Sequence, residues 1–245
     1  MSRAGNARPQ DSLEEPFEGC YEHMELVQRE FLQLSEIDEV FWQLNALWDK
    51  YPDTRAEGQV QFVFATTYID STVIRIRRLG DRDPRSGSLW RLLDLLRDHA
   101  EKLTRERYMT GWHKELKRHA DEGWAYLAGT EHAYIPCSRF RDQQERLVSA
   151  IKAVKDFANK AVAHKQRQGK YPKLKYGDVR ESVVAAFEVF EWVSTAVLAS
   201  GAPLSAIHTA PWLRDLTVPW LPPNEEPPKY DTLDAMLTRR RRRRD

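Results

Sequence analysis

Residues 57–79 read EGQVQFVFATTYIDSTVIRIRRL, and the class of the fold turns on whether they form strand or helix. The stretch is rich in β-branched residues, the composition that suits a pleated sheet. It is nevertheless longer than an ordinary strand and contains no turn signal. Its basic end, RIRRL, suits a helix C-terminus, where cations complement the backbone dipole. A buried helix is the expectation.

The flanks extend the same pattern. From about Glu22 to Lys50, Leu26, Val27, Phe31, Leu34, Ile37, Phe41, Leu44 and Trp48 recur at steps of three and four residues, the period of an amphipathic helix. Pro52 and Asp53 stop it. Downstream, GDRDPRSGS is a loop by its local signals, and Ser88 is the expected N-cap of LWRLLDLLRDHAEKL. Residues 104–137 carry Gly111, Gly123, Gly129 and Pro136, and one or two helices are expected there. Ser138 opens a long run to about Gln168, with Leu147, Val148, Ile151, Val154, Ala158 and Ala161 as its apolar stripe. After the loop QGKYPKLKYG, Asp178 is the expected cap of a last helix to about Ser200. Four to six helices and no convincing strand predict an all-α helical bundle. Residues 19–203 form the expected domain, residues 1–18 a disordered segment, and residues 204–245 a proline-rich extension ending in an arginine-rich flexible tail.

Charge and cysteine content narrow the setting. The chain has 245 residues and a net charge of +1. Arg239–Arg244 supply six positive charges and Asp245 one negative, which leaves residues 1–238 at −4. The body is mildly acidic and the basic excess is terminal. Cys20 and Cys137 are far apart and in no paired motif, which points to reduced thiols and a cytoplasmic protein. The first sixteen residues lack the apolar core of a secretory signal. The most apolar run, Val183–Ser200, contains Glu188 and Glu191, each of which would cost a few kcal/mol at a bilayer centre, so no membrane span is expected. No glycine-rich phosphate loop, serine nucleophile elbow, paired-cysteine motif or metalloprotease signature is present, and those enzyme classes are set aside. His113, His119, His132 and Cys137 match no zinc spacing, so neither a metal nor another cofactor is expected.

FANKAVAHK, followed by a short loop and YGDVRESVVAAFEVFEWV, resembles the C-terminal half of HEPN domains. The upstream YIDSTVIRIRRLGDRDPRSGSLWRLLDLL resembles the AbiU-type abortive-infection branch of that superfamily, and the likeness spans roughly residues 25–200. The resemblance implies a helical bundle that dimerises, a bacterial defence setting with an antitoxin or other defence partner, and in many members metal-independent cleavage of RNA. The family's motif is an Arg, commonly followed by a polar residue, with a His four to six positions further on. Such a His moves protons at the ribose 2′-hydroxyl or the leaving oxygen, and such an Arg grips the phosphate with a planar fork.

His164 supplies the histidine of that motif. If Asn159 is its polar second position, Ala158 stands where the arginine would be. The resemblance therefore implies His164 as proton-transfer group, Asn159 as orienting group and Lys160 as a substitute cation one α-helical turn from His164. Lys155, Lys165, Arg75, Arg77, Arg78, Arg239, Arg240 and Arg241 are the candidate RNA-binding cations. The residues alone leave other readings open. His164 reads equally as the polar end of a core helix favoured by the dipole, and the lysines as its solvated face. Arg75, Arg77, Arg78, Arg82 and Arg85 read equally as helix-end and loop charges balanced by Asp81 and Asp83. Two functions follow: an RNA-targeting toxin or ribonuclease with a degenerate motif, or a non-catalytic module that binds RNA or a protein. A helical protein whose only functional surface is its dimer interface is a third.

Overall fold

The computed structural model describes residues 18–52, 59–163, 173–198 and 233–242. Among these residues eight α-helices form, and the only β pairing is an isolated bridge between Thr104 and Tyr134. In chain order the helices are α1 (Glu18–Lys50), α2 (Gln59–Leu79), α3 (Leu89–Asp98), α4 (Arg105–Thr110), α5 (Lys117–Leu127), α6 (Cys137–Phe157), α7 (Tyr176–Leu198) and α8 (Leu233–Arg242). Short 3₁₀ turns at Ala100–Lys102 and Lys114–Leu116 join α3 to α4 and α4 to α5. A π-helical segment, Ala158–Ala163, continues α6. None of the helices is long and apolar enough, among the described residues, to cross a membrane.

The β-branched stretch is helical, as its length and basic end predict: α2 occupies Gln59–Leu79 and ends on Arg77 and Arg78. Tertiary burial overrides local strand preference here, because Val73, Ile76 and Leu79 are at most 1% exposed against α1, α6 and α7. Ser88 caps α3 as expected, accepting a hydrogen bond from the Arg91 N–H at 3.0 Å. Asp178 acts differently from a simple N-cap. The helix already begins at Tyr176, and the Asp178 carboxylate reaches back to accept the Lys175 N–H at 3.0 Å, the reciprocal arm of a capping box.

Four long helices, α1, α2, α6 and α7, make the bundle, and α3 closes one side. Val27, Phe31 and Leu34 from α1 meet Phe187 and Phe190 of α7, with Phe31 stacked on Phe190 and edge-on to Phe187. Phe140 of α6 meets Trp192 edge-on. Fifteen of the 23 residues of α7 are buried, so its sequence reads as a near-continuous apolar run. The excursion through α4 and α5 is pinned at its base, where the Arg105 N–H donates to Ala133 O and the Ile135 N–H to Leu103 O.

Two contacts set the register of the bundle. Gly80, just past α2, lies against Ile151 of α6, and a Cβ there would sit 2.2 Å from the Ile151 Cδ1. Toward the other end of α2, a buried polar cluster joins α1, α2 and α7. The Asp38 carboxylate accepts hydrogen bonds from the Tyr68 hydroxyl at 2.9 Å, the Trp42 indole N–H at 3.1 Å and the Arg180 Nε at 2.9 Å. Arg180 also lies over the Trp42 ring. Asp38 is fully buried, and this desolvation raises its pKa to about 6 against the opposing pull of Arg180 and Tyr68. Burial and the neighbouring Asp38 push the Tyr68 hydroxyl up as well. A buried ion pair of this kind fixes geometry more surely than it adds stability.

Gly80→Ala is expected to cost about 1–3 kcal/mol through overpacking, and Ile151→Val, which removes the clashing Cδ1, should recover part of that loss. Urea denaturation of the two single variants and the double variant checks this; strictly additive losses would place the strain elsewhere. Asp38 binds its proton more tightly folded than unfolded, so its contribution to stability is fully present below the ordinary carboxyl pKa and is lost as pH rises through about 6. Asp38→Asn should therefore gain in melting temperature relative to the unsubstituted protein as pH rises from 4 to 7. A gap independent of pH would show that Asp38 titrates normally.

Candidate nucleic-acid interface

Arg77, Lys155, Asn159 and Lys160 of the predicted site lie on α2, α6 and the π segment, elements that pack against one another. Gly80 meets Ile151 near one end, and α2 also packs against the π segment that follows α6, so the two helices run antiparallel. Counted by turns from the Gly80–Ile151 contact, the next positions are Arg77 on α2 and Lys155 on α6, with Asn159 one turn further, in the π segment that packs on α2. Arg77 and Lys160 are exposed, while Lys155 and Asn159 are half-buried. His164 and Lys165 lie outside the described residues, which reach Ala163 on this segment.

The backbone changes at the start of the motif. Cys137–Phe157 is α-helical, and Ala158–Ala163 winds as a π-helix with hydrogen bonds closing one residue later. The prediction of a continuous α-helix here is corrected on this point, and the α-helical spacing that set Lys160 one turn before His164 does not describe these residues. Ala158, the position where the family's arginine would fall, is 0% exposed and part of the core. An arginine there would have to bury its guanidinium among apolar side chains, a heavy desolvation cost. Alanine fits that position for a packing reason.

The other cations of α2 and its loop are engaged elsewhere. Arg75 points toward α1, donating to Glu30 at 2.8 Å and closely to Gln33. Arg78 lies 3.7 Å from the same Glu30. Arg82 covers the Trp90 ring at 4.1 Å, and Arg85 bonds Asp83 at 2.9 Å. Of these five arginines, Arg77 is the one with neither an acidic partner nor a ring contact among the described residues. Arg239 and Arg240 are carried by α8, which packs on α7; the Arg241 side chain lies outside the described residues. Where the sequence predicts a flexible tail, residues 233–242 are helical, because Leu237 finds a buried seat (2% exposed). His113 and His119 approach Glu115 and Glu122 separately, at 4.0 and 3.6 Å, and no group of three metal-ligating side chains forms among the described residues.

The helical bundle, the polar helix end after α6 and the long apolar α7 coincide with a family match: the model for HEPN_AbiU2 (AbiU2) covers residues 62–211. The chain belongs to the AbiU2 family of HEPN domains. At that level it is a HEPN-type abortive-infection or defence protein. The AbiU2 match begins inside α2 and takes in the whole α2–α6 seam, whereas α1 and α8 fall outside it; the likeness read from the sequence had been set to begin near residue 25. Neither a curated protein nor a solved structure matches the chain.

The Asp38 cluster was not legible as a site, yet one signal marked it. Asp38 falls on the same helical stripe as Leu34 and Phe41, and a charge on the apolar face of a helix requires a buried partner.

Arg75→Ala is expected to lower stability by about 1 kcal/mol, since it removes the nearer of the two arginines beside the half-buried Glu30, whereas Arg77→Ala should stay within about 0.5 kcal/mol of the unsubstituted protein. Thermal denaturation of the two variants side by side tests the assignment, and equal losses would refute it.

Proposed function

We propose that this AbiU2-family protein is an RNA-directed defence effector that works as a metal-independent endoribonuclease, with the α2–α6 seam as its RNA-facing surface. What supports the reading is that Arg77 is exposed with no acidic partner among the described residues, on a helix that packs against α6 and the π segment carrying Asn159 and Lys160. Arg77 and the lysines offer phosphate contacts along a strand of RNA. Arg75 and Arg78 contribute to the field of that surface while held by Glu30.

In this reading His164 accepts the proton of a ribose 2′-hydroxyl as that oxygen attacks the adjacent phosphorus. The bond to the 5′-oxygen breaks, and an imidazolium returns a proton to it, leaving a 2′,3′-cyclic phosphate and a 5′-hydroxyl. A homodimer that faces two His164 side chains across one groove supplies base and acid from different copies. Asn159 orients the ribose or phosphate, and Lys160 or Arg77 balances the charge that builds on phosphorus. A defence partner or antitoxin would restrain such an activity. The second reading, RNA or protein binding without cleavage, is favoured by the burial of Ala158, because a lysine cannot reproduce the forked grip of an arginine.

Incubation with end-labelled RNA in EDTA separates the two. Cleavage predicts cyclic-phosphate ends from the unsubstituted protein and none from His164→Ala. Arg77→Ala and Lys155→Ala should each weaken RNA binding and reduce the slope of log affinity against log salt by about 0.7. Binding with those slopes but no cleavage by any form would leave the non-catalytic reading.

A further inference from the structure

Helix α8 ends in the arginine run, yet it is held down. Leu237 is buried on α7 (2% exposed). One turn on, the Arg240 guanidinium bonds closely to Glu181 and lies 3.6 Å from Glu188. Glu181 and Glu188 are two turns apart on α7, on one stripe, so a single guanidinium bridges both. Glu188 is 7% exposed at its side chain and is also gripped by Arg146 of α6. The chain of charges Arg146–Glu188–Arg240–Glu181 therefore links α6, α7 and α8. Its two ends differ in kind. The Arg146–Glu188 end belongs to the packed bundle, while Glu181 is half exposed and Arg240 one-third exposed, where water and salt weaken the contact.

The acidic body and the basic terminus are thus partly satisfied by each other. Any polyphosphate strand that takes the arginine run must compete with Glu181 and Glu188 for Arg240, and Leu237 is the apolar anchor that opposes it. We propose that α8 is a releasable strap: docked on α7 it withholds Arg240, and single-stranded RNA binds that arginine by lifting α8 off the Glu181–Glu188 stripe. The proposal shares with the functional reading above only the choice of RNA as ligand and requires no cleavage.

The test uses the full chain and a 12-nucleotide single-stranded oligonucleotide with 2′-O-methyl riboses, which lacks the attacking hydroxyl and so reports binding whatever the ribonuclease activity. Hydrogen exchange should show residues 233–242 protected in the free protein and exchanging faster with the oligonucleotide bound. Leu237→Ser and Glu181→Gln should each expose the same amides without ligand and tighten oligonucleotide binding about three- to tenfold, because the competent state no longer has to be released. Arg240→Gln should also free the helix but weaken binding. Unchanged exchange on binding, or unchanged affinity in both Leu237→Ser and Glu181→Gln, would overturn the strap, as would absence of binding by every variant. Loss of RNA cleavage in His164→Ala with the exchange response intact would leave the strap standing apart from the catalytic reading.

Discussion

Two charges inside the most buried helix govern the arrangement of the others. Arg180 and Glu188 lie on α7, about 12 Å apart along its axis, with side chains 6% and 7% exposed. A helix surrounded on most faces cannot leave such groups unsatisfied, since an isolated buried ion is far costlier than a paired one. Arg180 is met by Asp38 of α1, which in turn takes Tyr68 of α2. Glu188 is met by Arg146 of α6 and by Arg240 of α8. Each pairing ties a different helix to α7, so the two charges together orient most of the bundle around one element.

The HEPN motif lies at a helix that has been adapted to this packing. Ile151, Val154 and Ala158 continue one apolar stripe, and at Ala158 the backbone passes from α to π. A π segment carries more residues per turn than an α-helix, and it runs to Ala163. Asn159 is half-buried and Lys160 exposed, as Lys155 and Asp156 are after Val154 one turn earlier. Ala158 is buried in the core, the π segment packs on α2, and Gly80 admits Ile151 without a side chain of its own.

Charge distribution follows the same logic of local pairing. The densest basic cluster outside the terminal arginine run, from Arg75 to Arg85, is largely engaged within the fold by Glu30, Asp83 and the face of Trp90. Arg77 is the arginine of that cluster left with neither an acidic partner nor a ring contact among the described residues.

Helix formation, the Ser88 cap and the all-α class were legible in the sequence, because they depend on periodicity and on hydrogen bonds within a few residues. The resemblance in FANKAVAHK and the AbiU-type segment was legible for the same reason, being a local pattern. The sequence also signalled that Asp38 and Glu188 stood among apolar neighbours, without saying what would meet them. Only the tertiary structure decided those partners: Asp38 and Arg180 are 142 positions apart, and Arg240 and Glu181 are 59 apart. The choice between a free cation and a paired one is made by helix register, through contacts such as Gly80 on Ile151. The helicity of α8 was decided in the same way, since a short arginine-rich segment has little reason to hold a helix in water until α7 gives Leu237 a buried seat and Arg240 two carboxylates.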